Sequence, residues 1–177
     1  MANIVFIATS MDGFIADSNG NVDWLNSMPN PENLDFGFSK LMNRIDAVLM
    51  GRNTFEQVLS FNCPWPYSKK VFVLSRTLDS VPIDLEQKAE IIFGDLLDVI
   101  ASLADRGFIN LYIDGGKVIQ NFLEKDLVDE MIITKVPIFL DKGIGLFSNN
   151  QHEELFFLDS KTSFSNGFIQ YHYLKKK

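Results

Sequence analysis

Short apolar strands alternate with helical segments along most of this chain, and this alternation is the feature that most restricts its fold. Runs rich in Val, Ile, Leu and Phe predict strands at residues 4–8, 46–50, 71–74, 90–93, 110–113 and 130–138. Between them, apolar residues at helical spacing predict helices at 34–44, 54–59, 96–104 and 118–123. Such alternation is typical of a mostly parallel sheet with helices on both faces.

The C-terminal part of the chain follows a different pattern. Residues 155–158 and 168–174 flank "SKTSFSNG" and predict two antiparallel strands joined by a turn. No repeat or linker interrupts the sequence, so we expect one domain over residues 1–177. The predicted fold is therefore α/β: a three-layer α/β/α domain whose mixed, mostly parallel central sheet ends in an antiparallel C-terminal hairpin.

The net charge, the apolar runs and the cysteine content exclude several classes of protein. The net charge of −7 disfavours a nucleic-acid-binding surface. No apolar run approaches the roughly 20 residues of a membrane span, and no basic segment precedes the first apolar run, so we expect neither a membrane protein nor a signal peptide. A single cysteine excludes an intramolecular disulfide and fits a reducing compartment, so we expect a cytoplasmic protein.

Metal-dependent and thiol chemistry are disfavoured by the sequence. Cys63, His152 and His172 do not have the spacing of a metal site, and we expect no bound metal. A Cys–His nucleophile pair is disfavoured for the same reason, because both histidines lie far from the cysteine along the chain.

The turns after the predicted strands concentrate groups that bind anions. In an open parallel sheet, ligands bind beyond the carboxyl ends of the strands. The segments that follow successive strands there include "GRNTFE", "SRT", Gly94 and "DGGKVI". Any one of them could serve simple chain reversal, because Gly and Ser are common in turns. Their combination at one edge predicts a ligand site.

Two of these turns suit a pyrophosphate. In "MGRNTFE", Asn53 or Thr54 is predicted to cap a helix whose free N–H groups, together with Arg52, favour an anion. In "YIDGGKVI", Gly115 and Gly116 allow positive φ and a close approach of the ligand to the backbone at the start of the next helix.

A third cation stands at the same edge. Arg76 in "LSRT" suits a further phosphate, such as the 2′-phosphate of NADP, or else a surface salt bridge. Neither the G-x-G-x-x-G fingerprint nor the Walker lysine loop is present. A dinucleotide would therefore bind across several strand ends.

The segment after the first strand, "IATSMDGFIADSNGNVDW", is polar like a loop and yet carries Met11, Phe14, Ile15 and Trp24. Either these side chains return to the core or they close over a ligand. At the carboxyl end of the first strand, the segment is predicted to be a lid that shields the ligand from water, with Gly and Asn that allow it to move.

The motifs resemble, in order, those of the dihydrofolate reductase superfamily. The resemblance rests on "VLMGRNTFE", "VLSRT", "YIDGGKVIQNFL" and "MIITKVP" and covers residues 4–147. "TSMDGFIA" is more similar to Ser-x-Asp-Gly-x-x-Ala of the riboflavin-pathway reductase branch. That branch uses the same fold and NADPH to reduce an aminopyrimidine ribosyl phosphate.

The sequence departs from both branches of the superfamily. Folate reducers have an Arg before the Lys that follows their Pro-x-Pro, whereas this chain reads "PWPYSKK". The riboflavin branch has Gly-Ala-x-Thr, whereas Arg52 replaces that Ala here, and its Asp-x-Pro-x-Leu-Thr-x-Arg segment is missing. Substrate identity stays open between a folate, an aminopyrimidine and another ring.

The resemblance also implies roles for individual residues. Asp35 lies at the spacing before "MGR" of the folate reducers' active-site carboxylate, and it is equally a first-turn helix Asp that favours the dipole. Asp35 and Asp12 are the two predicted catalytic residues. Trp24 and Phe38 are predicted to contact the substrate, although Phe38 could equally be a core residue. NADPH is predicted to contact Ala8, Ile15, Gly51, Arg52, Asn53, Thr54, Leu74, Ser75, Arg76, Gly94, Gly115, Gly116, Lys117, Val118 and Ile119.

The sequence thus predicts an NADPH-dependent reductase that passes hydride to a C=N bond of a pterin- or pyrimidine-like heterocycle. The alternative is an NADP(H)-binding module without turnover. A flavodoxin-type flavin protein is disfavoured, because no Ser/Thr-rich phosphate loop follows the first strand. Some of the 16 phenylalanines could line a homodimer interface.

Overall fold

The computed structural model describes residues 1–61, 63–147 and 155–176. Its strands are β1 (Ala2–Thr9), β2 (Phe14–Ala16), β3 (Ala47–Gly51), β4 (Lys70–Leu74), β5 (Ala89–Ile92), β6 (Asn110–Asp114), β7 (Glu130–Lys135), β8 (Ile144–Gly145), β9 (Phe156–Ser163) and β10 (Ile169–Lys175). Its helices are α1 (Asp23–Asn26), α2 (Phe38–Met42), α3 (Arg52–Ser60), α4 (Leu96–Asp105) and α5 (Gly116–Glu124), with a 3₁₀ turn at Ile83–Leu85.

The central sheet has eight strands in the order β5-β4-β3-β6-β1-β7-β10-β9. The strands from β5 to β7 pair in parallel, and β10 pairs antiparallel with both β7 and β9. The predicted mixed, mostly parallel sheet with an antiparallel C-terminal hairpin is confirmed. A second, two-stranded sheet pairs β2 with β8, and the sequence did not predict it.

Alternation along the central strands divides the core between the two faces of the sheet. On one face, hereafter the α4/α5 face, Leu49 and Ile113 pack with apolar residues of α4 and α5. On the other, the α2/α3 face, Val48 and Tyr112 pack with residues of α2 and α3, including the fully buried Phe55. The predicted helical layers therefore lie on both faces.

The helix predicted at 34–44 is wrong over its first part, because only Phe38–Met42 forms a helix. Asn33, Phe36 and Gly37 adopt φ of 49°, 53° and 92°, which a right-handed helix cannot contain. The Phe36 ring stacks on Phe168 and meets Phe164 edge-on, each at 5.0 Å between centroids. This tertiary packing holds Phe36 in its uncommon conformation.

Other predicted boundaries also shift. β7 ends at Lys135 and not at residue 138, since Pro137 follows and cannot donate to a ladder. β9 continues to Ser163, so the first half of the predicted "SKTSFSNG" turn is strand, with an irregular register opposite His172 and Tyr173. Among the described residues, no helix is long and apolar enough to cross a membrane.

Candidate functional site

A crevice forms where β3 and β6 lie side by side. The two strands are parallel, with Ala47 opposite Leu111 and Met50 opposite Asp114. After β3 the chain turns into α3 on the α2/α3 face, whereas after β6 it turns into α5 on the opposite face. Strands whose connections diverge in this way open a crevice at their carboxyl ends, where ligands of open α/β sheets bind.

The two helices that begin at this crevice lack side-chain caps. Gly51 precedes α3 and Gly115 precedes α5, and neither offers a side-chain acceptor to the first turn. Asp95, by contrast, caps α4 by accepting from Leu97 N at 3.0 Å. The prediction that Asn53 or Thr54 caps α3 is wrong, because α3 begins one residue after Gly51. The first-turn N–H groups of α3 and α5 are thus positioned for an anion.

Close packing at the crevice requires glycine. Gly115 has φ of +90°, and a Cβ there would overlap the Thr54 hydroxyl. A Cβ at Gly51 would stand 3.2 Å from Val118 Cγ2. Residues of β3, α3, β6 and α5 that the sequence predicted to bind the cofactor therefore meet at one point, with the backbone exposed to a close approach.

A second part of the edge lies beyond β4 and β5. Arg76 lines a cleft of about 480 Å³, whose other lining residues are Ser75, Leu78, Asp79, Ile91 and Phe93. The buried Ser75 accepts at Oγ from the N–H groups of Thr77 and Leu78 and so fixes this turn. Arg52 Nη1 donates to Thr77 Oγ1 at 3.0 Å, which joins this turn to the start of α3.

Most of the remaining predicted cofactor residues lie along the same edge. Ala8 and Leu74 are close to the ends of their strands and half-buried, and Gly94 lies exposed between β5 and α4. Lys117 is exposed in the first turn of α5, and Ile119 is fully buried beneath it. Contact of any of these residues with NADPH stays a prediction.

The opening loop is partly buried in the core and partly accessible to solvent. Ile15, in β2, is 8% exposed, and its Cδ1 occupies the space that a Cβ at Gly116 would need. Trp24 lies half-buried in α1, a single turn with no fully buried residue. Its buried Nε1 has no hydrogen-bond partner among the residues that the structure describes. The loop thus returns to the core through Ile15, and its role as a lid stays a prediction.

Asp12 fastens the opening loop to the loop that precedes β8. Its carboxylate accepts from Ser10 Oγ at 2.6 Å, from Asp141 N at 2.9 Å and from Leu140 N at 3.3 Å. The Ser10 hydrogen bond is the largest of the effects that lower the pKa of Asp12. A carboxylate held ionised and paired in this way is poorly suited to donate a proton, although its catalytic role is not tested by these contacts.

Asp35 lies before α2 and not in its first turn as predicted. It is exposed and accepts from the N–H groups of Gly37 and Ser39, both at 2.9 Å, which satisfies the start of α2. Hydrogen bonds from Ser39 are the largest effects that lower the pKa of Asp35. Its catalytic role also stays a prediction. Phe38 packs against Phe6 at 6.0 Å between centroids.

The sequence analysis did not identify Asp114, the last residue of β6. Tyr67 Oη donates to Asp114 Oδ2 at 3.0 Å and Gly115 N donates to Oδ1 at 2.8 Å. Burial raises the pKa of Asp114 above its ordinary value, although hydrogen bonds from Tyr67 and Gly115 oppose this shift. The signal was its position directly before Gly115-Gly116, at a strand end already predicted to bind a ligand.

Tyr67 and Tyr112 enclose this carboxyl group. Burial, followed by the charge of Asp114, raises the pKa of both phenols, so both stay protonated. Tyr112 Oη donates to Phe6 O at 3.0 Å. Cys63 is exposed, and His152 lies outside the described residues. Across the described part of the chain, no cluster of three His, Cys, Asp or Glu side chains could hold a metal ion.

Several known proteins are similar to this chain in sequence and architecture. The sequence model of the RibD C-terminal domain family matches residues 3–169. YwjB of Bacillus subtilis strain 168 is 30% identical over 174 residues, which cover 97% of each chain. A crystal structure from Shewanella sp. PV-4, named for riboflavin biosynthesis, is 52% identical with a TM-score of 0.93 and covers 100% of both chains.

A more distant structure shares the fold. The diaminohydroxyphosphoribosylaminopyrimidine deaminase/5-amino-6-(5-phosphoribosylamino)uracil reductase of Thermotoga maritima superimposes with a TM-score of 0.77 at 19% identity. The match covers 99% of this chain and 56% of that one.

Proposed function

The chain belongs to the RibD C-terminal domain family, and from this premise we propose that it is an NADPH-dependent reductase of a pterin- or pyrimidine-like heterocycle. Membership confirms the resemblance to the riboflavin-pathway branch and supports a reductase-like role. The nicotinamide cofactor, the hydride transfer and the ring substrate are the parts that we propose.

The observation that carries the proposal is the pair of uncapped helix N-termini at the β3/β6 crevice. α3 and α5 begin beside each other, and Gly115 leaves no room for a Cβ near Thr54. Such a site presents N–H groups and helix dipoles to a pyrophosphate. The cleft beyond β4 would take the adenosine end, where the Arg76 guanidinium suits a 2′-phosphate.

The nicotinamide would lie toward Ala8 and Ile15, beneath the opening loop. When bound, NADPH supplies the hydride. The chain's own contribution is to hold the ring in position and to exclude water, the latter through Ile15 and Trp24.

The substrate would lie on the α2/α3 face, near Phe38. Register places Asp114 on this face, because Tyr112 lies there opposite both Ile4 and Val48 and Asp114 follows Tyr112 by two residues. Its raised pKa favours a protonated carboxyl that can donate to a ring nitrogen as hydride arrives. Asp114 is therefore the acid that we propose, in preference to Asp12 or Asp35.

An assay of NADPH oxidation with dihydrofolate and with the aminopyrimidine ribosyl phosphate tests the proposal. Turnover of either ring supports a reductase and selects its branch. NADPH binding without oxidation of these or other pterins and pyrimidines would instead favour the alternative, a binding module without turnover. Absence of NADPH binding would contradict both.

A further inference from the structure

Thr134 and Gln170 form a polar pair on the α2/α3 face of the sheet. Gln170 of β10 lies directly opposite Thr134 of β7, and Thr134 lies opposite Ala8 of β1. Directly paired residues share a face, so both side chains lie on the same side of the sheet as Ala8, the predicted neighbour of the nicotinamide. Thr134 is 5% exposed, and Gln170 is half-buried.

The orientation of the Gln170 amide follows from its partners. Its Nε2 donates to Phe36 O at 2.9 Å and to Thr134 Oγ1 at 2.9 Å. A main-chain carbonyl can only accept, so the amide nitrogen and not the oxygen must face Phe36. Phe36 is held there by stacking on Phe168 and by edge-on contact with Phe164.

The donor and acceptor groups that remain available on these two side chains define a recognition pattern. Gln170 uses both N–H donors in these contacts, which leaves its Oε1 as an acceptor. Thr134 Oγ1 receives one of them, which leaves its own O–H as a donor. Within residues 1–61, 63–147 and 155–176, neither the Gln170 Oε1 nor the Thr134 O–H makes another hydrogen bond.

We infer that Thr134 and Gln170 are specificity-determining residues that recognise a ring N–H beside a ring acceptor, as in the cis-amide edge of a pyrimidinone or pterin. The ring N–H donates to Gln170 Oε1, and the neighbouring C=O accepts from the Thr134 hydroxyl. This inference rests on the proposed function and names the substrate chemistry of that same site. It predicts that a ring without an N–H donor is rejected.

The rejection has a physical cause. A site built to pair with a polar ring atom discriminates strongly against an analogue that lacks it, since its own polar group is then left unpaired. One such hydrogen bond corresponds to about a tenfold change in affinity.

The experiment titrates pyrimidin-4-one and 3-methylpyrimidin-4-one into the protein saturated with NADPH, followed by ligand-observed NMR. Methylation removes the N–H donor of this simple ring. We expect the methylated ring to bind at least tenfold more weakly. Equal binding of the two rings, stronger binding of the methylated ring, or no binding of either would overturn the inference, even where NADPH binds.

Variants then assign the effect to the two side chains. Thr134→Val and Gln170→Met should each weaken pyrimidin-4-one binding about tenfold, and Gln170→Met should remove the difference between the two rings. Thr134→Ser keeps the hydroxyl and should retain binding. Thr162→Val, at the exposed residue opposite Gln170 on β9, is the matched control and should change nothing.

A measurement of NADPH binding distinguishes failure of this inference from failure of the proposed function. If every variant binds NADPH like the wild type and yet none alters ring binding, Thr134 and Gln170 are structural residues only and the proposed function is unaffected. If the wild type does not bind NADPH, the proposed function itself fails. The isosteric Thr134→Val and the comparison of two rings on the wild type remain informative where Gln170→Met does not fold.

Discussion

Tyr67 Oη donates a hydrogen bond to Asp114 Oδ2 over 3.0 Å, which joins the segment before β4 to the carboxyl end of β6. Burial raises the pKa of Asp114 from its ordinary value near 3.8. Folding therefore shifts the protonation equilibrium of Asp114 toward the neutral carboxyl. The associated stabilisation is fully present below the ordinary value and is lost as pH rises through the raised pKa.

The first prediction concerns the pH dependence that Asp114 confers. Asp114→Asn should remove this loss of unfolding free energy with rising pH and should lower kcat roughly 100-fold, with NADPH affinity retained. Urea denaturation and steady-state kinetics across pH measure both effects. Asp98→Asn, at an exposed residue of α4, is the control. A variant with unchanged kcat would exclude Asp114 as the acid.

The second prediction separates backbone strain from the shape of the crevice. Gly115 and Gly107 have φ of +90° and +89°, but a Cβ at Gly107 would meet no atom within 4 Å. Gly107→Ala should lose about 1 kcal/mol of stability through φ alone. Gly115→Ala should lose more, because the methyl group displaces Thr54, and should weaken NADPH binding at least tenfold. Equal NADPH affinity in both variants would argue against a cofactor at this turn.

The third prediction concerns the buried Glu130. Burial raises its pKa, but the two hydrogen bonds from Arg44, at 2.6 and 2.8 Å, and the contact with His172 outweigh this effect and lower it. The resulting stabilisation is present above the ordinary Glu pKa near 4.5 and is lost as pH falls through the lowered value.

Arg44→Met should therefore cost about 3 kcal/mol near neutral pH, since it leaves the Glu130 charge buried beside His172 alone. Chemical denaturation at neutral and acid pH provides the measurement, and the loss should shrink in acid. Lys40→Met on α2, at an exposed residue, is the control. A loss that does not change with pH would show that packing, and not the ion pair, accounts for it.

The fourth prediction tests whether Trp24 covers the ligand or belongs to the core. α1 has no fully buried residue, so Trp24→Ala should fold normally and lose activity. Trp65 instead meets Phe55 and Tyr67 edge-on, at 5.9 and 5.2 Å between centroids, and Trp65→Ala should unfold more readily. Circular dichroism melts compare the two variants. If Trp24→Ala is the less stable one, Trp24 is a core residue.

Local sequence sufficed for most strand positions along the chain and for the edge where the candidate site forms, because strand ends and Gly-rich turns are encoded within a few residues. The order of the strands in the sheet came from the structure. Gly51, Gly115 and the turn at Arg76 indeed lie along one edge. The elements that were missed depend on distant residues. Phe36 interrupts the predicted helix because Phe164 and Phe168 hold its ring, and no local pattern encodes that contact.

Asp114 escaped sequence analysis for the same reason. Its raised pKa requires the burial that Tyr67, 47 residues earlier, helps to provide. Asp12 and Asp35 were predicted as acids near the correct edge, Asp35 through the family resemblance, and only the fold reveals that main-chain N–H groups already donate to both. Charge and spacing can nominate an acid, whereas its protonation depends on tertiary surroundings.

Calorimetric titration of the wild type and of Arg76→Gln with NADPH and NADH tests the central claim most directly. We predict one NADPH site per chain, NADH binding at least tenfold weaker, and an Arg76→Gln variant that loses this preference without losing NADH. Arg106→Gln, which removes the exposed pair with Glu90 and the contacts with the Phe72 and Phe108 rings, should bind both nucleotides like the wild type. No NADPH binding by the wild type would contradict the account.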